Sequence, residues 1–215
     1  MATLHRHHSR DAGTPANAPQ VTTDVGAESG TVLTAAGEQQ SLRVTGWLAR
    51  SLAVLRIAFG LTFLWAFFDK LFALGYHTGY DQAGNLDRFG DAAWINGGSP
   101  TEGFLKFGAD GPFKDFYNGI AGDAWADWLF MAGLLGIGLA LTLGIGMRVA
   151  AATGALLYVL MWTVVLPPEN NPVLDDHLLG AISLVVLALA LAGDTWGLGK
   201  LWGSVKMVRQ HTWLR

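Results

Sequence analysis

Apolar positions along the chain fall into four long blocks separated by polar segments. The first covers residues 51–74 (SLAVLRIAFGLTFLWAFFDKLFAL). A helix rising 1.5 Å per residue needs about 20 apolar residues to cross a hydrocarbon core, so this block predicts a membrane span. Further spans are expected over residues 125–146, 149–166 and 176–193, with Met147-Arg148 as a tight turn and Pro167-Pro168 ending the third. Ala132, Gly136 and Ala140 recur four apart with Gly133 alongside, and Ala151 and Ala155 repeat that spacing. Small residues in this register predict close helix–helix packing.

The polar segments differ from one another. Residues 1–42 lack an apolar run, which predicts a disordered tail, with His5, His7 and His8 at a solvated end rather than in a metal site. No apolar signal segment precedes residue 51, so the first span is expected to act as its own insertion signal. The loop over residues 75–124 sets Arg88, Lys106 and Lys114 against Asp81, Asp87, Asp91, Glu102, Asp110, Asp115 and Asp123, a balance of 3 − 7 = −4. Ser99-Pro100-Thr101-Glu102 reads as a capping box opening a short helix that Gly108 stops. Pro112 is expected to open another, with Phe113, Phe116, Tyr117 and Ile120 on one face. Such helices would cap the mouth of the bundle. Residues 204–215 form a basic tail, and across residues 196–215 Lys200, Lys206, Arg209 and Arg215 alternate with Trp196, Trp202 and Trp213, as suits an interfacial segment.

Composition sharpens the class. Of the 215 residues 51% are hydrophobic and 14% charged, where soluble domains carry about 25% charged residues. The expected fold is all-α: an integral membrane four-helix bundle over residues 43–203, with a long, partly helical outer loop and a disordered N-terminal tail. Arg43, Arg50, Arg148, Lys200, Lys206, Arg209 and Arg215 flank one side of the spans, and the Pro167–Asp176 loop has no Lys or Arg. This predicts that both termini are cytoplasmic, with four spans. With no cysteine, disulfides, thiolate nucleophiles and cysteine-ligated clusters are excluded. No basic patch with interleaved aromatics points to nucleic acid.

The polar residues inside the spans are the candidate chemistry. Arg56, Gly60, Phe63, Phe67 and Lys70 share one helical stripe, so the two cations lie on one face, roughly 21 Å apart along the axis. Arg56 either snorkels to the headgroups or faces inward, where its fork of donors holds a carboxylate, an anion or carbonyl groups. Lys70 either pairs locally with Asp69 or points into the outer mouth toward Glu169, Asp175 or Asp176. One of Asp175 and Asp176 is the expected N-cap of the fourth helix, and Asp176 with His177 forms a candidate proton-handling pair. A metal site is not expected there, since a single His and two diverging Asp side chains make a poor ligand set. No phosphate loop, nucleophile elbow, HExxH or paired haem histidines occur in the sequence.

The segment LRIAFGLTFLWAFFDKLF resembles the opening helix of the DoxX family. WINGGSPTEGFLKF, GPFKDFYNGIAG, NPVLDDHLLGAI and GDTWGLGKLW resemble its DoxD-type branch, over about residues 47–203. That resemblance implies a four-span subunit of a thiosulfate:quinone oxidoreductase in a bacterial inner membrane, working with a second subunit. Arg56 and Lys70 are then expected to bind ligand, Asp176 and His177 to act as catalytic groups, and quinone to be the cofactor. The alternative is a non-catalytic membrane anchor or accessory subunit of a respiratory or oxidative-stress complex. On either reading the partners are membrane lipids and a soluble or respiratory-complex subunit.

Overall fold

The computed structural model describes residues 25–80, 83–169 and 171–215, with side chains from residue 46 onward. His5, His7 and His8 lie outside the described residues. The chain divides into two units, Met1–Arg43 and Val44–Arg215. The described backbone of the first is helical from Val25, where the sequence pattern predicts a tail. Its Ala, Glu, Gln and Leu residues are good helix formers, and a helix without an apolar stripe leaves no periodic signal.

Eight α-helices occur among the described residues: α1 (Val25–Phe72), α2 (Glu102–Phe107), α3 (Lys114–Ile120), α4 (Ala124–Leu143), α5 (Met147–Val164), α6 (Asp176–Leu189), α7 (Gly199–Ser204) and α8 (Lys206–Gln210). Three segments are long and apolar enough to cross a membrane: Gly46–Phe72 within α1, α4, and α5. The fourth expected span is shorter. α6 has 14 residues, about 21 Å of rise. It breaks where Leu191 adopts φ 50° and the chain enters a 3-10 turn at Ala192–Asp194. The turn between α4 and α5 also falls earlier than expected. Gly144 (φ 74°) and Gly146 (φ 56°) reverse the chain in the left-handed region that glycine enters without penalty. Met147 and Arg148 are then the first residues of α5.

One core joins α1, α4, α5 and α6 through Phe63, Phe67, Met131, Leu134, Ile137, Leu141, Met147, Ala150, Ala151, Leu184 and Leu187. The stripe read on α1 is its inward face: Arg56, Gly60, Phe63 and Phe67 are buried and Lys70 is half-buried. Close approach of α1 to α4 uses Gly60 and Gly138. A Cβ on Gly60 would stand 2.7 Å from the Thr142 backbone nitrogen, and one on Gly138 2.8 Å from Leu64 Cγ. Gly154 plays the same part between α5 and α6, where a Cβ would meet Leu184 at 2.6 Å. The expected small-residue stripe on α4 is not this contact. Ala132 and Gly136 are exposed, and nothing lies within 4 Å of a Cβ built on Gly133 or Gly136. Met131, Leu134, Ile137 and Leu141 offer more apolar area, so the helix turns that face inward instead.

The loop after α1 is docked. Ser99 Oγ accepts from the Glu102 amide at 3.0 Å and donates to Asp127 Oδ1 at 2.8 Å, but α2 opens at Glu102 behind Thr101 rather than at Pro100, and the Glu102 carboxylate meets Lys106 at 3.3 Å instead of closing a capping box. Thr101 adds its hydroxyl (2.6 Å) and its amide (3.2 Å) to that same oxygen. Tyr117 of α3 packs with Ala109 and Val164, its hydroxyl 2.5 Å from Thr163 Oγ1. The Asp110 amide donates to Val164 O at 3.0 Å. These bonds hold the loop on the start of α4 and the end of α5.

Gly60→Val and Gly138→Val are expected to destabilise the protein by about 1–3 kcal/mol each through overpacking. Gly136→Ala, on an open face, is expected to leave stability unchanged or slightly raised. Thermal unfolding of the purified variants in detergent checks this contrast.

Candidate functional site

The candidate residues lie at two ends of the helices. Arg56 marks one end, together with the α4–α5 turn and the chain after α6. Lys70 and the α6 N-terminus mark the other.

Arg56 is fully buried, so it does not snorkel. Its Nη1 donates to the carbonyls of Leu141 and Thr142 (2.9 Å for the second), and its Nη2 to those of Trp196 at 3.0 Å and Thr195 at 3.4 Å. The last four carbonyls of any helix lack intrahelical donors. In α4 all four find one. Ala140 O takes the Gly144 and Ile145 amides, Leu141 O and Thr142 O take Arg56, and Leu143 O takes the Leu198 amide. A cation is also favoured there by the negative end of the helix dipole. Arg56 Nε and Thr142 Oγ1 remain buried without a partner. The carbonyl-holding role weighed for Arg56 is therefore filled by this chain's own backbone. A cavity lies nearby, between Gly144, Met147, Asp194, Trp202 and Arg215, and measures about 10 Å³. That is room for about one water.

Asp69 and Lys70 are not an ion pair. Asp69 is buried, and its carboxylate accepts from the amides of Tyr76 (3.1 Å) and His77 (3.0 Å), pinning the chain that leaves α1. Lys70 Nζ sits 5.9 Å from the Phe130 ring centroid on α4, a cation–π contact. No ion pair joins it to Glu169, Asp175 or Asp176 among the described residues.

At the start of α6 the structure selects Asp175 where the sequence reading paired Asp176 with His177. Asp175 Oδ1 accepts from the Leu178 amide at 3.0 Å as the N-cap, and Oδ2 lies 2.6 Å from His177 Nδ1. Asp176 is exposed. Burial pushes the Asp175 carboxyl up, but the Leu178 amide and the His177 hydrogen bond and charge outweigh it, leaving the group below its ordinary value. With Nδ1–H held by Asp175, the neutral imidazole presents Nε2 as an acceptor. The His177 ring meets Tyr158 of α5 edge-on at 6.2 Å, and Tyr158 meets Phe63 (5.3 Å) and Phe59 (6.3 Å) of α1. Gly180 makes room for the Tyr158 ring, since a Cβ there would stand 2.8 Å from Cε2. The sequence reading missed Tyr158 and Asp127. Asp127 is buried in the first turn of α4, three residues into an apolar run, and that burial of an acid was the available signal.

Comparison with family models, curated proteins and solved structures finds no match to this chain. Its chemistry is therefore argued from geometry. The Asp175–His177 pair is an oriented imidazole beside a phenol, an arrangement able to accept and release a proton at Nε2.

Arg56→Ala is expected to cost about 3 kcal/mol or more, because it strips donors from buried carbonyls worth about 1–3 kcal/mol each. Arg56→Lys recovers only part, since one ammonium cannot span both carbonyl pairs. Melting temperatures and the yield of monodisperse protein report both effects. The lowered Asp175 carboxyl gives a pH signature. Its stabilisation is complete above the ordinary carboxylate range, about pH 4, and is lost as pH falls through the lower folded value. Asp175→Asn keeps the cap but removes the charge, so its melting temperature is expected to fall less than the native protein's between about pH 5 and pH 3.

Proposed function

We propose that this chain is the membrane subunit of a bacterial redox system, a four-helix bundle with both termini cytoplasmic that binds a quinone or similar lipid-like ligand beside His177. The observation that carries the reading is the 2.6 Å Asp175–His177 contact, set against Tyr158. The resemblance to the DoxD-type branch of the DoxX family supports the same chemistry. α6 completes the bundle on this reading as a shorter apolar helix. Basic residues gathered at the Arg56 end support the orientation.

The interior offers no volume for such a ligand where the cavity at the Arg56 end holds about one water. The fit is instead at the side of the helices, where the His177 side chain keeps 23% of its surface open. A bound quinone would supply a two-electron, two-proton acceptor, with the electrons arriving from a donor on a partner subunit. His177 would first take up a proton from water at Nε2, with Asp175 steadying the resulting imidazolium, and then release it toward the ligand, the second proton coming from water, while Tyr158 packs edge-on against the ring. Lys70, which forms no salt bridge among the described residues, is a cation available to a polar headgroup at this end of the bundle.

A second reading is a non-catalytic anchor or accessory subunit. The four backbone carbonyls on Arg56 Nη1 and Nη2 favour it, because a residue expected to bind ligand is largely spent on the fold.

Titrating the purified protein with a short-chain quinone, followed by tryptophan quenching, separates the two. The redox reading expects saturable binding that weakens about tenfold in His177→Ala, the loss of one good charge-assisted contact. Binding that is absent, or equal in native protein and variant, supports the accessory reading.

A further inference from the structure

The chain beyond α6 carries a surface that the redox reading does not use. Residues 195–215 contain no Asp or Glu. Their backbone is anchored firmly: the Leu198 amide donates to Leu143 O, Trp202 Nε1 to Leu214 O at 2.7 Å, and the Arg148 amide to Arg215 O at 2.8 Å. Arg215 is also paired, to Asp194 at 2.8 Å. Yet the exposed side of this anchored segment mixes large apolar side chains with cations. Leu201 (67% exposed), Trp196 and Trp213 (61% each) stand open, and Lys200, Lys206 and Arg209 lie exposed between them. Among the described residues, none of these three cations has an ion pair or side-chain hydrogen bond.

We infer that residues 196–213 form a binding surface for anionic phospholipid, with the cations on headgroup phosphates and the tryptophans and Leu201 among the upper acyl carbons. Charge and place both select this occupant. An apolar face studded only with positive charge matches a bilayer whose surface is negative, and the segment is tied to the very end of helices long enough to span that bilayer. A soluble acidic partner would match the cations but would leave no use for Trp and Leu side chains standing open at the level where helices leave hydrocarbon.

The inference rests on the membrane reading, and the test separates the two. The full chain is reconstituted in nanodiscs of phosphatidylcholine, alone or mixed with phosphatidylglycerol, and retained lipid is read by native mass spectrometry. The native protein is expected to retain phosphatidylglycerol in preference to phosphatidylcholine, with the preference falling as salt is raised. Replacing Lys200, Lys206 and Arg209 with Gln is expected to weaken that retention by about fivefold per charge. These side chains make no internal bond, so the variant's unchanged melting temperature in phosphatidylcholine confirms that it is folded. Equal retention of both lipids by the native protein, or a preference that survives the triple substitution, overturns the inference while leaving the membrane reading intact. Failure of the native protein to enter either bilayer overturns both.

Discussion

The fold depends on one buried guanidinium. Placing a charge inside an apolar helix costs about 2.5–3.5 kcal/mol on insertion scales, and hydrogen bonds from a charged donor return about 1.5–3 kcal/mol each. Arg56 reaches four carbonyls, so the balance favours burial. Those carbonyls belong to two places distant in sequence, the last turn of α4 and the chain after α6. A single side chain of α1 therefore fixes where α4 stops and where the C-terminal segment starts. Backbone groups this close need small residues around them. A Cβ on Gly144 would come within 3.0 Å of Arg56 Nη1, and one on Gly197 within 3.1 Å of Nη2. The glycines of both turns are thus part of the same constraint.

The opposite end solves the complementary problem with the opposite charge. Helices running back and forth present carbonyls at one end and amides at the other. α4 and α6 both begin at the Lys70 end, and an acid sits in the first turn or cap of each, Asp127 and Asp175. Each meets the positive end of a helix dipole and each also ties down something else, the loop through Ser99 and Thr101 or the imidazole of His177. Asp69 is the exception, since it lies at the negative end of α1. The two loop amides on its carboxylate offset that placement.

Much of this was legible in the sequence, and the losses have physical causes. The inward stripe of α1, the four apolar helices and the short helices of the acidic loop follow from periodicity and capping. The partners of Arg56 do not, because backbone carbonyls exist at every residue and leave no side-chain signature. The sequence reading paired Asp176 with His177, but adjacent residues on a helix point about 100° apart, and the chain's entry angle brings Asp175 to the ring instead. The small-residue spacing on α4 was read correctly as a face, but the wrong face was turned inward. Spacing shows that residues align, whereas the core takes the side with more area to bury. The 14-residue length of α6 turns on the left-handed Leu191, a conformation that the apolar run over residues 176–193 does not announce.

With room for only about one water in the cavity at the Arg56 end, the redox reading turns to the flank of the helices. Phe59 and Phe63 of α1, Tyr158 of α5 and His177 of α6 form a chain of edge-on and tilted rings that crosses the helices. Phe63 is buried in the core, and Phe59, Tyr158 and His177 are partly exposed. Asp175 occupies the imidazole nitrogen nearer the helix, so any proton exchanged with a ligand passes through Nε2 on the far side of the ring. On the redox reading, this makes the approach of the ligand lateral, from the lipid side and beside Tyr158. A substitution that enlarges Gly180 would act on that approach without touching either titratable group, because the ring that Gly180 accommodates is the one that packs edge-on against His177.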